Sequence, residues 1–569
     1  MLAPTPGGEK MLFEENPRRY RLAIIASSLT VLLAACGSEN DNTDALVSDV
    51  RSDSSTQPDG TPPAGSSDTA GAANSIACSV DTSVKLAYEE LRLETALPYS
   101  GNNVIGTDTT PLADRILQAT GFDQFAPDFA NVLCDENRRT TIASFEAART
   151  LVHKEGATLW KSAVDRVQGR WTSAATESLP NSDDRMLYWA RVKMTKALRQ
   201  WRPDFTLSEA QKDELQWEFE RASRGQYDIN FPEGSSPDRA MYRRLIMSGF
   251  DVFTLGTPGT PNTGLRNGNP SGATALAMDG KQYTLPDGTI LAVETYILPV
   301  SYDPFHKGMQ EDTLGPYFRP GPQQVDASIT MSQGGRNVFW LEQHNARFHG
   351  PSAGNDGIIY CPPGDSRIPG YVQPIGARSG TDERIDPISL PGSGCDIYPV
   401  ARWLGYDSVS YWQKDFPPQF VDASLPVAAM ITARTNEGIA RPPGAVSEGT
   451  DGFDVTWHTS YSYFQDCNLP DTISIPSNNL MNTLPDLASL TPPQIAWCSR
   501  SGGGGSYLSN ESAYRNTLLR DVFMLNIPAG HIHVPVMNNY FGGTEETGGG
   551  ERDDNAITDA RYEAYREAI

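Results

Sequence analysis

Near residue 240 the spacing of apolar residues changes, and that change narrows the folds open to this chain of 569 residues. From about Val80 to Ser236, segments such as TPLADRILQATG, TIASFEAARTLVHKEG, DRMLYWARVKMTKALRQW and SEAQKDELQWEFERAS repeat apolar residues at three and four positions, often behind a Ser or Thr. That spacing predicts amphipathic helices, and SVKLAYEELRLE reads as one more. Trp189 and Trp217 on these segments are expected in the core rather than around a ligand. After the loop FPEGSSPDRA, the strand-type runs RRLIMSGFDVF, TILAVETYILPV and DASITMSQGG follow, while PVAAMITA reads as either helix or strand. Strands alternating with helical stretches predict an α/β unit over residues 237–569, preceded by an α-helical region over 77–236. Gly- and Pro-rich segments near 349–400 and 435–500 lack periodicity and read as insertions between sheet elements.

The first 76 residues cannot join either core. Arg18, Arg19 and Arg21 precede the apolar run LAIIASSLTVLL, too short to span a membrane comfortably, which ends at LAAC, Leu33 to Cys36. This is read as a signal peptide over residues 1–36, with Met11 a candidate start. LAAC resembles a bacterial lipobox, which implies cleavage before Cys36, acylation of its sulfur and export, with Gly37 favouring the outer membrane. Residues 37–76 are Ser, Asp, Thr, Gly and Pro with little else, the composition of a disordered tether. With Cys36 lipidated, six of the seven cysteines remain: Cys78, Cys134, Cys361, Cys395, Cys467 and Cys498. An even number in an oxidising compartment predicts three disulfides, and nearest-neighbour pairing (78–134, 361–395, 467–498) is the expected connectivity. The 70 acidic against 46 basic residues, a net charge of −24, argue against nucleic-acid binding and are read as solubility. Contact with a membrane is therefore expected only through the lipid anchor.

GGGGSYLSN, Gly502 to Asn510, frees the backbone just before ESAYRNTLLRD, which reads as a helix. Such a run serves either a loose loop or a nucleophile on a tight turn at a helix amino terminus, with His533 of AGHIHVP as its base. His531 and His533, two apart on a strand, could also bind a metal, but no third ligand at suitable spacing accompanies them, and neither metal nor cofactor is expected.

Four separated pieces then fall in one order: SGFDVF with NPSGATALAMDG; VDASITMSQGGRNVFWLE, ending at Glu342; SLPVAAMI; and GGSYLSN with AGHIHVP. Together, over roughly residues 243–545, they resemble the pyroglutamyl-peptidase I (pyrrolidone-carboxylate peptidase) family. The resemblance implies an open twisted mixed sheet flanked by helices, and removal of N-terminal pyroglutamate from peptides by a Glu-Cys-His triad. Matched by motif, the acid falls on Glu342, the base on His533 and the nucleophile on Ser509, where the family has cysteine. Phe250 and Phe253 correspond to aromatics that hold the lactam ring, and Asn269 to the N-P motif beside them. Arg347 lies nearest to where the family places an oxyanion-binding arginine. A serine hydroxyl is hardly ionised at neutral pH, so this site would depend more heavily on its base than a thiolate site does. A catalytically inactive binding protein with the same pocket is the alternative.

Overall fold

The computed structural model describes residues 78–535 and Ile569, apart from 97–98, 101–102, 105–109, 136–141, 172–178, 234–240, 254, 259–262, 336–337, 359–396, 398–402, 404–416, 434–452, 465–471, 477–489 and 496. Among the described residues, five helices fill the first part: α1 (Leu112–Thr120), α2 (Phe125–Leu133), α3 (Phe145–Val167), α4 (Arg185–Gln200) and α5 (Glu209–Ala222). Side-chain caps set two of the starts. Ser144 accepts from the Ala147 amide at the head of α3, and Ser208 with Gln211 forms a reciprocal capping box on α5. Their apolar stripes meet in a core that includes Trp160, Trp189, Phe129 and Phe219; Trp217 is buried against Met309.

One helical expectation is corrected. Only Glu90–Glu94 of SVKLAYEELRLE is helical, as a short 3₁₀ turn. Its polar side chains are drawn inward instead of lining a solvent face: Glu90 Oε2 accepts from the Ala87 amide at 2.8 Å, and Arg92 donates to the carbonyls of Gly256 and Asn355 at 2.9 and 2.6 Å. A disulfide joins Cys78 to Cys134 at the end of α2. Cys498 is also disulfide-bonded. Cys36, Cys361, Cys395 and Cys467 lie outside the described residues.

The second part is a seven-stranded sheet built from β1 (Tyr242–Phe250), β2 (Gln282–Thr284), β3 (Ile290–Leu298), β4 (Ala327–Gln333), β5 (Val338–Glu342), β6 (Asp454–His458) and β7 (Ala529–Val534). The strand order is β6-β5-β7-β4-β1-β3-β2. The sheet is mixed: β1 runs parallel to β3 and β4, and β7 parallel to β4, whereas β7 with β5 and β2 with β3 are antiparallel. Among the described residues, five helices accompany it: α6 (Pro270–Met278), α7 (Tyr302–His306), α8 (Met309–Phe318), α9 (Val427–Thr432) and α10 (Leu508–Val522). PVAAMITA thus resolves to helix.

Strand side chains alternate between the two faces, and the faces differ. One carries Met247, Val293, Met331, Leu341, Val455, Trp457, Ile532 and Val534, packed with Ile431 of α9. On the other, Ile246, Phe250, Tyr296 and Leu298 meet Leu314 and Phe318 of α8 and Leu508, Tyr514 and Leu518 of α10. Toward β4, β7 and β5 this second face turns polar, with Ser328, Thr330, Ser332, His531, His533 and Glu342 all buried. Burying that many polar groups costs free energy unless each finds a partner, so the helix covering them must be polar too. It is: α10 buries Asn510, Glu511, Ser512, Arg515, Asn516 and Thr517, and Asn516 exchanges hydrogen bonds with Ser328.

The segment 435–500, read as an insertion, supplies β6, an edge strand of the main sheet, and part of a small three-stranded sheet with Tyr461–Phe464, Thr472–Ile475 and Cys498–Ser501. Its alternation lies in DVTWH, where Val455 and Trp457 take the apolar face and His458 pairs in register with Glu342. The helical region docks on the α/β unit through apolar contact, with Leu276 and Ile297 in the same core as Trp160, and through buried ion pairs of Arg191 and Arg224 with Asp251 at 2.6 and 2.8 Å.

Candidate active site

Three strands bring the acid and two imidazoles together. On β7, His531 and His533 are two residues apart and share a face; His531 lies opposite Glu342 of β5 and His533 opposite Ser332 of β4. Glu342 is buried, with His533 Nδ1 2.5 Å from Oε1 and His458 Nδ1 2.6 Å from Oε2. An ionised carboxylate only accepts, so both Nδ1 atoms carry hydrogen. With the ring neutral, Nε2 of His533 then bears a lone pair, the tautomer that a general base requires.

Burial alone would raise the Glu342 carboxyl, but the charge and hydrogen bond of His458, with those of His533, outweigh it and bring it from 4.5 to about 2. Burial likewise depresses His458, and the Glu342 charge and hydrogen bond more than reverse this, raising it above 6.5. For the carboxylate, the folded value is the lower one, so its contribution to stability is present above about 4.5 and is lost as pH falls toward about 2. The histidine's contribution is present below 6.5 and is lost as pH rises through its raised value. The urea midpoint of Glu342→Gln should therefore lie below that of the native chain at pH 6, with the gap closing on acidification through the carboxylate window. A gap that stays constant in acid would mean that the carboxylate's charge does not stabilise the fold.

His458 is not visible from sequence because it sits in a Gly- and Pro-rich segment that reads as an insertion. The period-two pattern of DVTWH was the available signal.

Ser509 lies in the first turn of α10, whose N-cap is Tyr507. The glycines before it form a tight turn closed by mutual Gly502–Gly505 backbone bonds, and Gly503 donates its amide to His344 O at 2.7 Å. A Cβ on Gly503 would stand 2.0 Å from Glu342 Oε2, and Gly505 has φ +77°. The run is thus a packed turn against Glu342 and not a loose loop. Asn510 fastens the same turn, with Oδ1 accepting from the Ala346 amide and Nδ2 donating to the carbonyls of Ala346 and Phe348.

Ser509 Oγ is hydrogen-bonded to Ser332 Oγ at 2.8 Å; Ser332 Oγ is in turn 2.8 Å from His531 Nε2, and His531 Nδ1 is 2.8 Å from Thr330 Oγ1. No hydrogen bond between Ser509 and His533 is formed among the described residues. Ser332 is the strand neighbour of His533, so Ser509 and His533 flank the same residue. Burial holds the His531 pKa well below 6.5. With both of its nitrogens engaged by hydroxyls, His531 is not placed to pair with His533 around a metal.

The expected substrate-binding residues separate. Phe250 is in the core, its ring 6.2 Å from that of Phe305. Phe253 is partly buried, 5.5 Å from the ring of Tyr507 at the head of α10. Asn269 caps α6: its Oδ1 accepts from the Ser271 amide, its amide donates to Asp184 and its Nδ2 to Asp251 O. Arg347 is fully buried and donates to the carbonyl of Pro417.

Residues 244–538 match the family described as PA0049, C-terminal domain, and residues 69–220 the PA0049 N-terminal domain. A Pseudomonas aeruginosa relative, described as uncharacterized protein PA0049, is 61% identical over 495 residues, covering 87% of this chain and 89% of that one. The chain belongs to the PA0049 family. Among solved structures it is similar to a mutant pyrrolidone carboxyl peptidase from Pyrococcus furiosus, at 16% identity and TM-score 0.27 over 57% of this chain and 93% of that one. Pyroglutamyl peptidase I from Bacillus amyloliquefaciens matches at 13% identity and TM-score 0.26 over 57% and 92%. The N-terminal match falls on the helical part and the C-terminal match on the α/β part, and Glu342, Ser509 and His533 all lie within the C-terminal one.

Proposed function

We propose that this PA0049-family protein is an exported, lipid-anchored hydrolase that cleaves N-terminal pyroglutamate, or a related amide, with Ser509 as nucleophile, His533 as base and Glu342 as its partner. The observation that carries this reading is the buried 2.5 Å contact of Glu342 with His533 Nδ1, beside the strand residue that holds Ser509. In the reaction, Ser509 Oγ attacks the amide carbonyl while its proton passes to His533 Nε2. Glu342 stabilises the imidazolium, which then protonates the leaving amine; water hydrolyses the resulting ester by the same route. Backbone N–H groups at the head of α10 are the available donors to the oxyanion. Phe253 and Tyr507 offer aromatic faces for a flat ring near that turn.

The test is hydrolysis of a fluorogenic pyroglutamyl amide by the tether-free chain, beside Ser509→Ala, His533→Ala and Ser509→Cys. Loss of turnover in both alanine variants is expected, by about 10³-fold or more. One observation favours a second reading, a pyroglutamyl-binding protein without turnover: the Ser509 hydroxyl is engaged by Ser332 rather than by His533. Turnover in the cysteine variant with none in the native chain would establish that reading instead.

Export and anchoring rest on the LAAC run at Cys36 and on the disulfide chemistry of the folded part. No helix among the described residues is long and apolar enough to cross a membrane. Cys36→Ala is expected to release the protein from the membrane fraction and abolish labelling by palmitate; unchanged fractionation and labelling would sink the anchor.

A further inference from the structure

A second cluster of titratable side chains lies outside the proposed triad. His306 ends α7, His349 follows the strand His344–Ala346, and Glu511 stands in the first turn of α10. All three are fully buried, and one donor atom from each lies within 4.8 Å of the others. The Nε2 of His306 is 3.6 Å from Glu511 Oε1, and the two imidazole centroids are 5.3 Å apart.

The carboxylates around them point to a missing positive charge. Arg515 donates to Glu511 Oε1 at 2.7 Å and also to Glu311 Oε1, so two buried carboxylates share one guanidinium. The other oxygens, Glu511 Oε2 and Glu311 Oε2, are buried with no hydrogen-bond partner among the described residues. A buried carboxylate with an unused oxygen is costly, and a bound cation satisfies it.

We propose that His306, His349 and Glu511 bind one divalent transition-metal ion beside the first turn of α10. Two imidazoles and one carboxylate form a donor set that suits Zn²⁺ or a neighbouring first-row ion, with a coordination position left for water. The ion would tie α7, the loop carrying His349 and the helix carrying Ser509 into one unit. Tyr302 continues the contact, its ring 4.3 Å from that of His349 and 5.7 Å from that of Tyr507.

The experiment is metal analysis of the full chain purified without chelator, followed by chelator dialysis and titration with Zn²⁺ and Co²⁺. About one equivalent of bound metal is expected, with visible Co²⁺ absorption and a rise in melting temperature on Zn²⁺ addition. His349→Ala should lose that equivalent. Glu511→Gln, which retains an oxygen for Arg515 but lacks the anionic donor, should weaken Zn²⁺ binding at least about tenfold while its circular dichroism stays native. A native chain that carries no transition metal and takes up neither ion would overturn the proposal. So would uptake that persists unchanged in both variants, since the ion would then sit elsewhere. None of these readouts depends on hydrolytic activity, so the fate of the pyroglutamyl reading leaves them intact.

Discussion

Glu342→Gln is expected to lower kcat/KM on a pyroglutamyl amide by about 10⁴, with the fold retained. The native carboxylate accepts from His533 on one oxygen and from His458 on the other. A glutamine in the same volume has one acceptor oxygen and one amide donor, so it can serve only one imidazole as the carboxylate did. The amide hydrogens facing the other ring require a bare Nδ1, which moves that ring's hydrogen to Nε2. If His533 is the ring that switches, its Nε2 can no longer accept the Ser509 proton. If His458 switches, the anion that would stabilise the His533 imidazolium is still absent. Both orientations lose rate chiefly in kcat, because the charge matters most after the proton has moved. Activity within tenfold of native would remove Glu342 from the mechanism.

Gly503→Ala should damage the site through packing alone. Its added Cβ would stand 2.0 Å from Glu342 Oε2 and 3.1 Å from Glu342 Cδ, in a buried turn. Glu342 cannot yield freely, because two imidazoles hold it; the turn cannot, because the Gly503 amide is bonded to His344 O and Gly502 to Gly505. Overpacking of this kind costs about 1–3 kcal/mol. A displacement of about 1 Å in the acid or the Ser509 turn is enough to cost about 10² in kcat/KM. Gly505→Ala is the control: no atom lies within 4 Å of its Cβ, so it meets only the strain of φ +77°. Equal urea midpoints and equal kcat/KM for the two variants would show that the close approach to Glu342 is unimportant.

Both experiments examine a site whose parts were unequally visible in the sequence. Glu342, Ser509 and His533 were picked out because short motifs occur in a fixed order. The geometry adds a second imidazole, His458, on a strand that its Gly- and Pro-rich surroundings disguised. It also adds a hydroxyl pair, Ser332 and Thr330, whose side chains are ordinary in any strand and gain meaning only when β7 lies beside β4. Asn269 was chosen as a substrate contact, and its place at the head of α6 gives it a capping role that its N-P sequence also encodes.

The sequence by itself determined the helical region, since amphipathic spacing and Ser caps are local properties that any partner surface can use, and it determined the strands whose apolar residues run or alternate. It also carried the LAAC run and the cysteine count on which the proposal of export rests. Only the tertiary structure decided that SVKLAYEELRLE gives up most of its helix to inward hydrogen bonds, because Arg92 finds its carbonyl acceptors more than 160 residues away. It alone decided that α10 buries a polar face: Asn510, Arg515 and Asn516 are stable inside because β4, the strand from His344 and α8 present matching groups. Local patterns record which residues avoid water. The pairing of buried polar groups depends on where distant segments meet, and a linear pattern does not carry that information.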